Sequence, residues 1–471
     1  MNRTALFLGL AAVLSLLALV VGLPELRGGP GPRVVVPSPL TPPPVAVSGE
    51  GSLTLQARLS HPYLGPGQSD QFLTLEVTGK ELPGATRSPV NLALVLDRSG
   101  SMSGQKLTDA KQAARVLVGQ LRDEDRLAII HYGSDVRAFS SAQATSSNRE
   151  RMLRYVDGIF DDGGTNIGDG LSAGRDQLLS GLKEFRVNRV ILISDGQPTE
   201  GLTDHADLVN IVRQIRTHGI SVSSIGVGTD FNEDLMQAFS EVGAGSYAYL
   251  QDSLRLSNIF QRDLQAATTQ VARNVELNLD LPERTELGEV LGYSSTQVGN
   301  KIRIALPDFS SGQLERVVVR LVVRAGRVGQ AVDVAKLSLG YRDLLRDAPA
   351  EALAQLTAMV TDQQEEITLH QDKDATVYAT RARSARNTHE AAESLKRGDR
   401  QRAVELLQQN QQLFRQAASV AGAPAVAADV QEQAAMIEGI GTARTEEEIQ
   451  HQVKGTKRKA MKDYGRVGST Y

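Results

Sequence analysis

The sequence contains no cysteine. That excludes disulfides, thiolate metal sites, a cysteine nucleophile and a lipid-modified cysteine together. Tryptophan is missing too and aromatic residues make up only 4%, which leaves little for stacking bases or sugars. Nor is there a basic excess: the formal net charge is −4, so no overall positive field draws the chain to nucleic acid. Several enzyme signatures are absent as well. There is no H-E-x-x-H, no P-loop and no dinucleotide-binding glycine pattern, since Gly226-Val-Gly228 follows a late strand without a third glycine in place. The seven histidines are scattered without metal-ligand spacing and read as surface or core residues.

What is present is an ordinary folded composition, 41% hydrophobic and 23% charged over 471 residues, enough for about two to four domains. One long uncharged run, Thr4 to Leu23, follows Arg3. It predicts a signal anchor or a cleaved signal peptide over residues 1–23, with Val20-Val21-Gly22 as the small-residue cleavage site. A buried core helix fits worse, because a Pro/Gly-rich linker over residues 24–49 follows at once. The expectation is a protein of the cell envelope, anchored in the cytoplasmic membrane and facing outward, or secreted if the segment is cleaved.

Residues 50–88 contain two alternating strands, Ser52 to Leu59 and Gln71 to Val77, around a Gly-Pro-Gly turn. Between residues 89 and 270 the pattern changes to continuous apolar strands: Val90 to Leu96, Arg126 to Tyr132, Arg189 to Ser194 and Ile220 to Val227. Helical stretches alternate with them, at Lys106 to Leu121, Ser147 to Phe160, Ile167 to Leu182 and Ala206 to His218. This order predicts an α/β domain with a doubly wound, mainly parallel sheet covered on both faces. Ligands of such sheets bind at the carboxyl ends of the strands.

Residues 271–347 alternate again, at Val275 to Leu281, Leu314 to Val323 and Val332 to Leu339. Two early strands alone would be a marginal hairpin. The expectation is therefore one β-sandwich made of both sets, with the α/β domain inserted in it. Residues 348–445 read as a helical region broken at Gly398-Asp399 and at Gly422-Ala423-Pro424. Leu395 to Ala403 looks like the turn of a tetratricopeptide-type pair, but a single turn fits a small helical bundle better. Residues 446–471 are expected to be a basic flexible tail, its lysines a solvated end.

Three short segments sit where a strand ends or a helix begins. They are Asp97-Arg98-Ser99-Gly100-Ser101, Gly163-Gly164-Thr165-Asn166 and Ser194-Asp195-Gly196. Asp97, Ser99, Ser101, Thr165 and Asp195 offer an all-oxygen set, which hard ions such as Mg²⁺ prefer. Only two of the five carry charge, so a bound divalent ion would stay electrophilic toward one more carboxylate from outside. Asp161 and Asp162, beside the threonine, read as a solvated turn, with a role facing the ion or its ligand as the alternative.

The segment from Asn91 to about Ala267 resembles von Willebrand factor A domains in its strand-to-D-x-S-x-S join, its G-G-T-N loop and its S-D-G turn. The resemblance implies a Rossmann-like fold and a metal-ion-dependent adhesion site. In that site Ser99 and Ser101 would ligate directly, Thr165 would join in the high-affinity state, and Asp97 and Asp195 would act through water. Mg²⁺ is the expected ion, with Mn²⁺ or Ca²⁺ also fitting. The expected partner is a protein offering an Asp or Glu carboxylate, in adhesion or in envelope assembly. More loosely, residues 50 to 345 resemble bacterial homologues named for von Willebrand factor and calcium-activated chloride channels, and inter-alpha-trypsin inhibitor heavy chains. Two alternatives stand beside this reading. One is a metal-dependent hydrolase; an aspartate-nucleophile phosphatase would need a second aspartate where Ser99 stands. The other is a scaffold whose metal site is vestigial.

Overall fold

The structure is a computed structural model and describes residues 46–48, 51–82, 88–228, 231–250, 265 and 268–465. The expected membrane segment over 1–23 and nearly all of the 24–49 linker lie outside the described residues. Among the described residues, no helix is long and apolar enough to cross a membrane.

The first strands are β1 (Ala46–Ser48), β2 (Leu53–Leu59), β3 (Tyr63–Leu64) and β4 (Gln68–Gly79). An α/β unit follows. It runs β5 (Val90–Asp97), α1 (Gln105–Gln120), β6 (Arg126–Tyr132), β7 (Val136–Gln143), α2 (Ser146–Asp157) and α3 (Ile167–Leu178). It continues through β8 (Val187–Ser194), α4 (His205–Thr217), β9 (Ser221–Val227), α5 (Glu233–Val242) and β10 (Ala244–Leu250). Its sheet has the order β10-β9-β8-β5-β6-β7. Every pairing is parallel except that of the edge strand β7 with β6. Leu92, Leu94 and Leu96 face one hydrophobic core while Ala93 and Val95 face the other. A strand covered on both faces needs apolar residues at every position, and that produces the unbroken runs.

The chain then forms β11 (Gln270–Asp280), β12 (Thr285–Leu291), β13 (Ser295–Val298), β14 (Lys301–Ala305) and β15 (Phe309–Ser310). Three long strands complete the β part: β16 (Leu314–Arg324), β17 (Ala331–Asp343) and β18 (Ala348–Val360). One sheet orders β1-β2-β4-β16-β12; the other orders β13-β14-β11-β17-β18-β3, with β15 beside β11. β4 lies between β2 and β16, paired with β16 from Thr78–Leu314 to Gln68–Arg324. The inward residues of both sheets, Leu55, Leu75 and Val319 from one and Leu277, Ile304 and Leu339 from the other, share one core. The two ends of the α/β unit meet, the Ser88 N–H donating to the Thr268 carbonyl at 3.4 Å.

Five helices close the chain: α6 (Gln364–Leu369), α7 (Lys373–Lys396), α8 (Arg400–Ala421), α9 (Ala427–Thr442) and α10 (Glu446–Asp463). Two expectations need correction here. Residues 348–360 belong to strand β18 and not to the helical region. Their Ala, Gln and Leu are good helix formers, but pairing along the whole of β17 and burial of Ala352, Leu356, Ala358 and Val360 override local propensity. Residues 446–463 are helix α10 and not a flexible tail. Thr445 and Glu448 make a capping box at its start. Two of its lysines are ion-paired: Lys457 meets Asp234 at 3.0 Å and Glu393 at 2.6 Å, and Lys459 meets Glu432 at 2.5 Å.

Helix α3 lies tight on the sheet because it carries glycines where side chains would collide. A Cβ at Gly170 would stand 2.6 Å from Tyr132 Cδ1, and one at Gly174 would stand 2.7 Å from Val95 Cγ2. Gly170→Ala should cost about 1–3 kcal/mol through overpacking, net of its helix-propensity gain. A lower urea midpoint with an unchanged slope would show it.

Candidate metal centre

The three singled-out segments lie at the carboxyl ends of β5 and β8 and at the start of α3. Backbone bonds hold them together. Gly100 N–H donates to the Gly163 carbonyl at 3.0 Å, Asp162 N–H to the Arg98 carbonyl at 2.8 Å, and Asn166 N–H to the Gly133 carbonyl at 3.1 Å. Gly163 has φ +79°, a conformation that favours glycine.

Asp97 ends β5 fully buried. Its Oδ1 accepts from the Ser99 N–H at 2.9 Å, and its Oδ2 accepts from Ser194 Oγ at 2.6 Å and from Tyr132 Oη at 3.2 Å. Even so, burial pushes its carboxyl up to about 6. Three hydrogen bonds do not replace the water this charge has lost. Ser194 Oγ also accepts from Gly196 N–H at 2.8 Å, tying the S-D-G turn to Asp97. Ser99 Oγ and Ser101 Oγ stand 3.1 Å apart. Thr165 is buried, with its N–H on Thr199 Oγ1 at 2.9 Å and its carbonyl accepting from the Thr199 and Glu200 N–H groups. Asp195 is 1% exposed; its Oδ2 lies 3.4 Å from Lys106 Nζ, while its Oδ1 is buried with no hydrogen-bond partner.

The five predicted residues are therefore gathered by three linked loops. No group of three acidic or imidazole side chains that could hold an ion occurs among the described residues, so ion binding here would depend on the hydroxyls. The donor set fits a hard divalent ion: two buried carboxylates, one raised in pKa and one with an orphaned oxygen, beside neutral oxygens. Asp161 and Asp162 are exposed, and Asp162 lies 3.6 Å from the Arg98 guanidinium. Sequence reasoning missed Tyr132, Thr199 and Lys106, whose contacts span 35, 34 and 89 residues. Nothing local marks them.

His131 lies on β6 next to Tyr132 and is 7% exposed. Burial, reinforced by Arg98 and Arg137, holds its imidazole down at about 4 against an ordinary 6.5. As pH falls through that window the unfolded chain takes a proton that the native state refuses. The histidine's own contribution to stability is therefore lost between about 6.5 and 4, by up to about 3 kcal/mol, while the raised carboxyl of Asp97 works in the opposite sense below about 6. His131→Gln should flatten this acid limb, which urea midpoints taken across the window would reveal.

The sequence profile of the von Willebrand factor type A domain matches residues 91–262. The chain is 25% identical over 273 residues to YfbK of Escherichia coli K12, covering 56% of this chain and 47% of that protein. It is 27% identical over 361 residues to sll0103 of Synechocystis, covering 73% and 83%. It is 28% identical over 197 residues to human inter-alpha-trypsin inhibitor heavy chain H2, covering 40% and 21%. The match thus spans about half of YfbK and a fifth of the heavy chain. Among solved structures, a von Willebrand factor type A protein from Catenulispora acidiphila superposes with a TM-score of 0.63 at 17% identity, covering 83% of this chain and 90% of that one. That likeness concerns the fold.

Proposed function

We propose, from the match of residues 91–262 to the von Willebrand factor type A domain, that this chain binds a protein partner, without chemical turnover, through a divalent cation. Asp97, Ser99, Ser101, Thr165 and Asp195 would hold the ion, with Mg²⁺ the expected occupant. When bound, the ion supplies a Lewis-acidic position that accepts an aspartate or glutamate from the partner. The chain's own residues do the rest. Tyr132 and Ser194 orient Asp97, Thr199 holds the backbone of Thr165, and Gly100 joins the first loop to the second. The observation that carries the reading is the orphaned, buried Oδ1 of Asp195. A buried acceptor without a donor costs about 1–3 kcal/mol, and a cation there would remove that cost. The uncharged run Thr4 to Leu23 supports export of the chain, and outside the cytoplasm it would act as an adhesin or an envelope scaffold.

Thr165→Ala separates binding from folding. Its backbone bonds to residues 199 and 200 survive the change, so stability should drop by no more than about 1 kcal/mol. Retention of the partner from envelope extract in Mg²⁺ should fall at least ~10-fold. Retention equal to wild type, and unaffected by EDTA, would assign recognition to another surface.

A further inference from the structure

The loops around the candidate ion site carry more negative charge than the site needs. Residues 97–106, 133–137, 160–166 and 194–207 hold eight carboxylates and three basic side chains, a net charge of −5. A divalent ion would leave −3. The three bases are engaged within the rim itself. Arg98 is buried and pairs with Asp135 and Asp162, Arg137 pairs with Asp135 at 2.7 Å, and Lys106 faces Asp195. Asp161, Asp162, Glu200 and Asp204 are exposed.

Two apolar side chains stand on the same loops. Phe160 is 74% exposed and Leu202 is 47% exposed. Phe160 leads into the turn whose Gly163 carbonyl holds Gly100, and Leu202 follows Gly201, which lies against Asn166. Lys111 sits 5.5 Å from the Phe160 ring centre. Exposed apolar side chains on the loops that carry the candidate ion site mark a contact surface.

An acidic group approaching this mouth meets repulsion from the rim before it reaches the ion, and like charges set against each other select against a partner. We propose that the partner presents its metal-seeking Asp or Glu inside a basic segment. Lys or Arg stands within about three residues on either side, and an apolar residue lies beside the acid to cover Phe160 and Leu202. Three extended residues reach ~10 Å, about one Debye length, so these charges are felt by the rim. The inference rests on the proposed ion-mediated capture and adds the chemistry of the flanks.

Four fluorescein-labelled peptides test it by anisotropy against the full chain in Mg²⁺ at low ionic strength. The first is Gly-Lys-Leu-Glu-Phe-Lys-Gly; the second replaces both lysines by serine, the third replaces them by glutamate, and the fourth replaces the central glutamate by glutamine. The lysine peptide should bind ~10-fold tighter than the serine peptide, and the glutamate-flanked one weakest. Added salt should erase most of that advantage, and so should the double variant Asp162→Asn/Glu200→Gln. Equal binding of lysine and serine peptides, no binding of the lysine peptide, or an advantage untouched by the double variant would each overturn the proposal. The glutamine peptide reports on the ion separately. If it binds like the first peptide while the lysine advantage persists, the acidic rim stands and ion-mediated capture falls.

Discussion

Mg²⁺ should raise the thermal midpoint of the wild-type chain and leave that of Asp97→Asn unmoved. An ion that binds only the native state stabilises it by about 2.7 kcal/mol at a hundredfold excess over its dissociation constant. Asp97 is one of only two carboxylates at the site, so losing it removes half of the anionic charge offered to the ion. Asparagine keeps the shape: its oxygen can accept from the Ser99 N–H, and its amide can donate to Ser194 and Tyr132, whose hydroxyls also accept. In EDTA the variant should therefore be as stable as wild type or more so, because it deletes a buried charge whose pKa is already pushed up to about 6. Calorimetric titration should show Mg²⁺ heat for wild type and none for Asp97→Asn or Asp195→Asn. An equal Mg²⁺ effect on wild type and Asp97→Asn would put the ion elsewhere.

The central strands and the three loops were legible because their causes are local. A strand buried on both faces is apolar at nearly every position, as Val90 to Leu96 is apart from the hydrogen-bonded Asn91, and a tight loop after it needs small residues, as Ser99-Gly100-Ser101 supplies. Where long-range contacts decide, the sequence misleads. β7 is half exposed along its length and shows no continuous apolar run. β18 is written in helix-forming residues and becomes a strand because β17 offers it twelve paired positions. Helix α10 looks like a solvated basic end, yet Lys454 lies 3.5 Å from the Phe231 ring centre and Lys457 is 3% exposed between two carboxylates. Charge along a chain says nothing of partners more than two hundred residues away. The capping box at Thr445 and Glu448 was the one local signal of that helix, and it is a short one.

Removing residues 89–267 and joining the ends through a short glycine linker should leave a cooperatively folding protein, whereas residues 268–465 alone should not fold. The first half follows from the Ser88–Thr268 bond, which shows that a few residues suffice to close the gap. Some stability is lost with it, since α10 loses Phe231 and Asp234 as partners. The second half follows from the sheet order. β4 is an inner strand, and without β2 and β4 the edge of β16 and the inner faces of both sheets open to water. Leu53, Leu55, Leu59, Leu73, Leu75 and Val77 are all buried in the shared core. At ~1.5–3 kcal/mol for each such side chain, their loss is on the order of 10 kcal/mol. That equals the whole stability of a typical domain, about 5–15 kcal/mol. Circular dichroism and urea unfolding of both proteins decide it. A cooperative transition from 268–465 alone would mean that the later strands form their own core and that β2 and β4 only decorate it.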